Sequence, residues 1–288
     1  MRNRILAGLG VAALASVGVA APATAASSTT ADVFVVHAVP GLTVNIYVDG
    51  NLVTDPETGF LPKAVAEFEL PVGPYEIDIT AKGVDDAPAT LDPADVILSA
   101  DVTLAANTSY TVVAGLTADG DPTIFPPFVN NLSALGEDEA GVTVRHTAAA
   151  PEVRAVVVDD AGENPVNIFG TATLVNGQDA RTTVPADTYN VQVRVAAGDG
   201  VAISVEDLPL EANTHYFIHA FGSATDENLD VVFFPIAGAV SDIPAGSAGL
   251  VAENGSDNGL LIGGAAALLA LLIAAGVVVA RRTASVER

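Results

Sequence analysis

In the middle of the chain apolar residues alternate with polar ones. Tyr75, Ile77 and Ile79 interleave with Glu76, Asp78 and Thr80, and Tyr189, Val191, Val193 and Val195 interleave with Asn190, Gln192 and Arg194. A period of two sends successive side chains to opposite faces of an extended backbone, so both stretches predict half-buried strands. Val44 to Val53 predicts a hairpin, because Asp49-Gly50 supplies the positive φ angles of a tight primed turn. No long segment between the two ends carries helical periodicity. Short strands with turn signals at close intervals predict antiparallel sandwiches.

The pattern occurs twice. Val33-Phe34-Val35-Val36-His37-Ala38 has a counterpart in Val142-Thr143-Val144-Arg145-His146-Thr147, and Pro74 to Ile79 has one in Thr188 to Val193. The closest match sets Leu104-Ala105-Ala106-Asn107-Thr108-Ser109-Tyr110 against Leu210-Glu211-Ala212-Asn213-Thr214-His215-Tyr216. There Asn-Thr makes a turn, the Tyr ring enters the core, and its hydroxyl meets the turn backbone. That is the logic of a tyrosine corner, so Tyr110 and Tyr216 are read as structural. The expected fold is all-β: two tandem immunoglobulin-like antiparallel sandwiches over 31–127 and 141–237, linked by 128–140, plus one C-terminal transmembrane helix.

That helix comes from the ends of the chain. Arg2 and Arg4 precede an apolar run from Ile5 to Ala20, then Pro22 and a small-x-small site at Ala23-Thr24-Ala25. This layout predicts a cleavable signal peptide over 1–25. Gly259 to Ala280 is free of charge and long enough to cross a hydrocarbon core of about 30 Å. Arg281 and Arg282 follow at once, which predicts a short cytoplasmic tail over 281–288 and an exterior N-terminal portion. Residues 238–258, rich in Gly, Ala, Ser and acids, read as a flexible stalk. The expected location is the cell membrane, spanned once. No Leu-Pro-x-Thr-Gly sorting motif precedes the span.

Charge narrows the partners. The chain has 35 acidic and 11 basic residues. With both ends set aside, six bases face 34 acids, a net of −28. Such a field repels nucleic acid and keeps an exposed protein soluble. Cys is absent, so thiol catalysis, Cys-ligated zinc and disulfides are excluded, and the core must fold on burial alone.

Candidate chemistry is sparse. His37 and His146 hold matching places at the end of a first strand, with no second His at metal spacing, and read as fold elements. His215 and His219 are four residues apart, which on a strand is about 13 Å, too far to share a metal. The acidic pairs Asp85-Asp86, Asp119 with Asp121, and Asp159-Asp160 could hold Ca²⁺ or flank a glycosidic bond, but such pairs are common by chance in a chain this acidic. Serine-hydrolase elbows, His-Glu-x-x-His and phosphate-cradling Gly loops are missing. No catalytic, cofactor or metal residue is assigned.

The opening Val-x-Val-x-His-Ala, the Val-Asn-Ile-Tyr-Val-Asp-Gly hairpin, the Gly-x-Tyr strand at Gly73 to Tyr75 and the Leu-x-x-Asn-Thr-x-Tyr element resemble the bacterial family catalogued as domain of unknown function 4397. The resemblance extends over two copies from Ala31 to Ile236, and the first copy matches better. It implies secreted or anchored β modules and carries over no catalytic residues. The short signal and Ala-rich anchor resemble those of actinobacterial surface proteins. The reading is a non-enzymatic surface module that contacts the envelope, an extracellular protein or a glycan. An acidic spacer and a glycan-active enzyme with a concealed site stand as alternatives.

Overall fold

The computed structural model describes residues 29–82, 91–198 and 200–238. The expected signal peptide, transmembrane span and tail fall outside these residues, as does the stalk from 239 onward. Among the described residues no helix is long and apolar enough to cross a membrane.

Apart from one 3₁₀ turn at Pro93–Asp95, the regular structure described is β. The first unit contains β1 (Thr30–His37), β2 (Val44–Val48), β3 (Asn51–Leu52), β4 (Val65–Pro71), β5 (Gly73–Ala81), β6 (Val96–Leu104), β7 (Ser109–Leu116), β8 (Pro122–Ile124) and β9 (Phe128–Val129). The second contains β10 (Glu139–His146), β11 (Val153–Val158), β12 (Val166–Asn167), β13 (Asp179–Pro185), β14 (Asp187–Val195), β15 (Val201–Leu210), β16 (Thr214–Phe221) and β17 (Asp230–Ala237).

The duplication is visible in the sheets. The first unit has one sheet in the order β4-β1-β7-β8, with β9 also on β7, and another in the order β3-β2-β5-β6. The second unit repeats both orders as β13-β10-β16-β17 and β12-β11-β14-β15. In each unit the two sheets share one apolar cluster. Val33, Val35 and Val112 meet Ile46, Ile77 and Val102 in the first, and Val142, Val144 and Ile218 meet Ala155, Val193 and Ile203 in the second. The predicted hairpin is present, with φ of 49° at Asp49 and 74° at Gly50.

The sheets are not wholly antiparallel, as the sequence reading expected. β1 runs parallel to β7, and β10 parallel to β16, in matching registers (Val33↔Tyr110 and Val142↔Tyr216). Only strands joined by a tight turn must run antiparallel. Between β1 and β7 the chain crosses to the other sheet and back twice, which frees the direction of that pair.

The two units are joined by more than a link. Ser109–Leu116 is buried along its whole length, and β10 and β16 are buried apart from their first residues. The side chains pointing away from each unit's own core meet one another. Phe34, Val36, Val113 and Phe125 form one cluster with Phe217, Phe221, Val232 and Phe234. Phe34 stacks on Phe234 with ring centroids 4.7 Å apart, and Phe217 stacks on Phe234 at 5.4 Å. An ion pair between Lys63 and Asp230 ties the rim. Within 128–140, Phe128–Val129 pairs with β7, Asn130 and Leu135 are buried, and β10 begins at Glu139.

Candidate functional site

The repeated histidines serve the backbone. His37 Nε2 lies 2.6 Å from the Leu42 carbonyl, and its Nδ1 accepts a long bond from Val39 N at 3.5 Å. His146 repeats this with the Pro151 carbonyl at 3.0 Å and Ala148 N at 3.4 Å. Each ring therefore donates through Nε2 and accepts through Nδ1, the neutral tautomer. Burial lowers the pKa of both, partly opposed by the carbonyl each bonds. Both rings staple the turn that follows the opening strand, the fold role read from the sequence.

The tyrosines act likewise. Tyr110 Oη accepts from Ala105 N at 3.2 Å, and Tyr216 Oη accepts from Glu211 N at 2.9 Å, as the corner reading expected. A second pair was missed by sequence reasoning. The hydroxyls of Tyr75 and Tyr189 donate to the carbonyls of Pro71 and Pro185, each at 2.8 Å. The signal available was a repeated Pro-x-x-x-Tyr.

Among the described residues the acidic groups close their own turns. Asp159 Oδ1 accepts from Glu163 N and Ala161 N while Oδ2 accepts from Asn164 Nδ2. The Glu163 amide first, then Asn164, holds its carboxyl below the ordinary range. That carboxylate closes its own turn. Asp121 closes another with its backbone, its carbonyl accepting from Thr117 N and its N–H donating to Thr117 Oγ1. Asp85 and Asp86 lie outside the described residues. Among the described residues no group of three or more His, Asp or Glu could hold a metal ion.

Between the units the buried side chains are polar as well as aromatic. Arg145 on β10 is wholly buried, and its Nη2 donates to Asn130 Oδ1 at 2.8 Å. Asn130 Oδ1 also accepts from Thr111 Oγ1, and its Nδ2 donates to Ser109 Oγ. The guanidinium lies 4.7 Å from the Phe128 ring centroid and 5.0 Å from that of Phe217, with the Asp179 carboxylate 3.7 Å away. Burial lowers its pKa to about 10, so it stays cationic at neutral pH.

His215 and His219 sit on β16 with Phe217 between them, all three on the face turned to the first unit. His219 is fully buried, stacks on Phe234 at 6.0 Å, and neither ring nitrogen has a hydrogen-bond partner. Burial, then the charge of Arg145, depresses its pKa well below the ordinary value. His215 packs so closely on Gly141 that a Cβ there would lie 2.4 Å from its Nδ1. Arg145, His215 and His219 are sealed from solvent, so they lock the units together rather than meet a substrate.

The first unit also encloses space. A cavity of about 200 Å³ lies between its sheets, lined by Val33, Ile46, Phe68, Tyr75, Val102 and Leu104 among other apolar residues. The corresponding space in the second unit is about 20 Å³. Val53 N bonds the Ile46 carbonyl as Ile168 N bonds that of Ala155, so Thr54 corresponds to Phe169. Phe169 packs against the second core, whereas Thr54 turns its hydroxyl to Ile46 N.

No curated protein matches the chain. Among solved structures it is similar to the Bacillus anthracis TIE protein, with 12% identity, a TM-score of 0.19, and coverage of 68% of this chain and 33% of that one. It thus spans about a third of that protein's length. It is similar to the tip fimbrial protein Mfa3 from Porphyromonas gingivalis, with 9% identity, a TM-score of 0.24, and coverage of 72% and 99%. It is also similar to a Parabacteroides distasonis protein named for cell adhesion, with 11% identity, a TM-score of 0.20, and coverage of 73% and 100%. At these scores the likenesses carry no functional argument. The family model is more specific. Residues 31–156, spanning the first unit, the link and the start of the second, match the family described as "Domain of unknown function (DUF4397)".

Proposed function

We propose that this chain is a non-enzymatic module of the cell surface, held by a membrane span at 259–280 and presenting two immunoglobulin-like sandwiches outward as one body. One observation carries the reading: the titratable groups that recur in both units are spent on the fold. His37, His146, Tyr110 and Tyr216 bond backbone, and Arg145 and His219, which the second unit alone carries, are sealed between the units. A body so built presents loops on a fixed frame, which suits adhesion or contact with envelope material. Its excess of acids favours basic or neutral partners over anionic ones.

The test is co-sedimentation of residues 26–258 with isolated cell envelopes at physiological salt, with Ca²⁺ or with chelator. Saturable binding that survives added salt is the expected result, and dependence on Ca²⁺ would direct attention to the acidic loops. No binding in either condition would defeat envelope contact and favour an acidic spacer.

A further inference from the structure

We infer that the cavity in the first unit is a binding site for a neutral aliphatic chain. Three observations meet there. The first is size: at about 200 Å³ the space exceeds the roughly 150 Å³ of an engineered apolar cavity that stays dry and takes up benzene.

The second is lining. Valine, isoleucine, leucine and phenylalanine supply it, and its one hydroxyl, that of Tyr75, already donates to the Pro71 carbonyl. Nothing inside can pair with a buried charge or an amide, so the part of the ligand that enters is hydrocarbon. The space also reaches the surface. Val53, with 37% of its surface exposed, and the half-buried Val48 and Phe68 carry the lining outward at the flank of β3 and β4. A polar head can stay in water there while the chain goes in.

The third is charge. Residues 31–127 hold fifteen acids against Lys63 and Lys82 alone. An anionic head would meet repulsion at the rim, which favours a fatty alcohol or a neutral lipid tail over a fatty-acid anion. The second unit is the internal control. It has the same sheet orders, but Thr182 stands where β4 has Phe68, Phe169 where the first unit has Thr54, and the space is nearly closed.

The experiment uses residues 29–238, whose strands and cores are complete in themselves, and follows methyl resonances by NMR while 1-octanol is added. Octanol is expected to bind saturably, shifting the methyls of Val33, Ile46, Val102 and Leu104 and leaving those of Val142, Ala155 and Ile203 in place. Octanoate should bind more weakly. Val53→Phe and Val102→Leu each narrow the space and should weaken octanol binding by about tenfold or more. Two mutations guard against one failing to fold, since Val53 is partly exposed and Val102→Leu adds a single methylene. Displacement of octanol by zwitterionic vesicles would identify a bilayer lipid as the source of the chain, and lack of displacement a soluble amphiphile. Absence of saturable shifts in the unaltered protein, or unchanged affinity in the folded variants, would overturn the inference. The assay contains no envelope, so its failure leaves the surface-contact reading standing, and the converse also holds.

Discussion

Arg145 and Asn130 meet where the two units join, Nη2 to Oδ1 at 2.8 Å, with the arginine wholly out of water. Asn130 serves three neighbours at once, because it also bonds Thr111 and Ser109 on β7. Removing the two members should therefore have unequal effects. Asn130→Ala leaves a buried cation and two hydroxyls short of a partner, and should cost about 3 kcal/mol in urea unfolding. Arg145→Met removes the charge itself, keeps the stem between Phe128 and Phe217, and should change stability by about 1 kcal/mol or less. If Arg145→Met proves the more damaging, the charge is holding the units together rather than being tolerated there.

The pH response should come from imidazoles. His37, His146, His215 and His219 all have pKa values lowered from 6.5, burial being the largest cause in each. Their rings bind protons more readily in the unfolded chain than in the fold. Stability should therefore fall as pH drops below 6.5 and go on falling until the depressed folded values are reached, while a rise above 6.5 adds nothing from this source. One such group contributes at most about 1.4 kcal/mol per pH unit. His219→Phe, which suits the stack on Phe234, should flatten the slope between pH 6.5 and 5.5. An unchanged slope in that variant would remove His219 as a contributor.

Much of each unit was legible before any coordinates. Asp49-Gly50 announced the hairpin, and the repeated Leu-x-x-Asn-Thr-x-Tyr announced corners whose hydroxyls bond the turn backbone. These features are local, and a few residues dictate them. The union of the units was not read, because it depends on the second faces of β1, β7, β10 and β16. A trace existed in Val33-Phe34-Val35-Val36, where the alternation stops, as it does in strands buried on both sides. Nor could periodicity show that β1 and β7 run parallel, since that pairing joins distant segments. The cavity depends on differences between copies, Phe68 against Thr182 and Thr54 against Phe169, that matter only once both sheets are in place.

The corner hydroxyls allow a direct measurement. Tyr216→Phe keeps the ring in the second core and removes only the acceptor for Glu211 N, so unfolding should become easier by about 1 kcal/mol. Tyr110→Phe should cost no more, its bond to Ala105 N being longer at 3.2 Å. Since both residues are read as structural, neither change should alter envelope binding by the folded protein. A loss of binding without a loss of stability would show that the corners do more than hold the fold.

Gly141 and His215 form the last testable pair. They are register partners on β10 and β16, and the ring occupies the space where a Cβ on residue 141 would stand, 2.4 Å from Nδ1. The first unit has the exposed Asp32 on β1 opposite the buried Ser109 on β7 at this register position. Gly141→Ala should be destabilising by about 1–3 kcal/mol, since a buried ring must move in a packed interface. His215→Ser should open room for the methyl, so the double mutant should be more stable than the sum of the single changes implies, by about 1 kcal/mol or more. A double-mutant cycle in urea measures this coupling, and strict additivity would show that the small residue at 141 serves the backbone and not the ring.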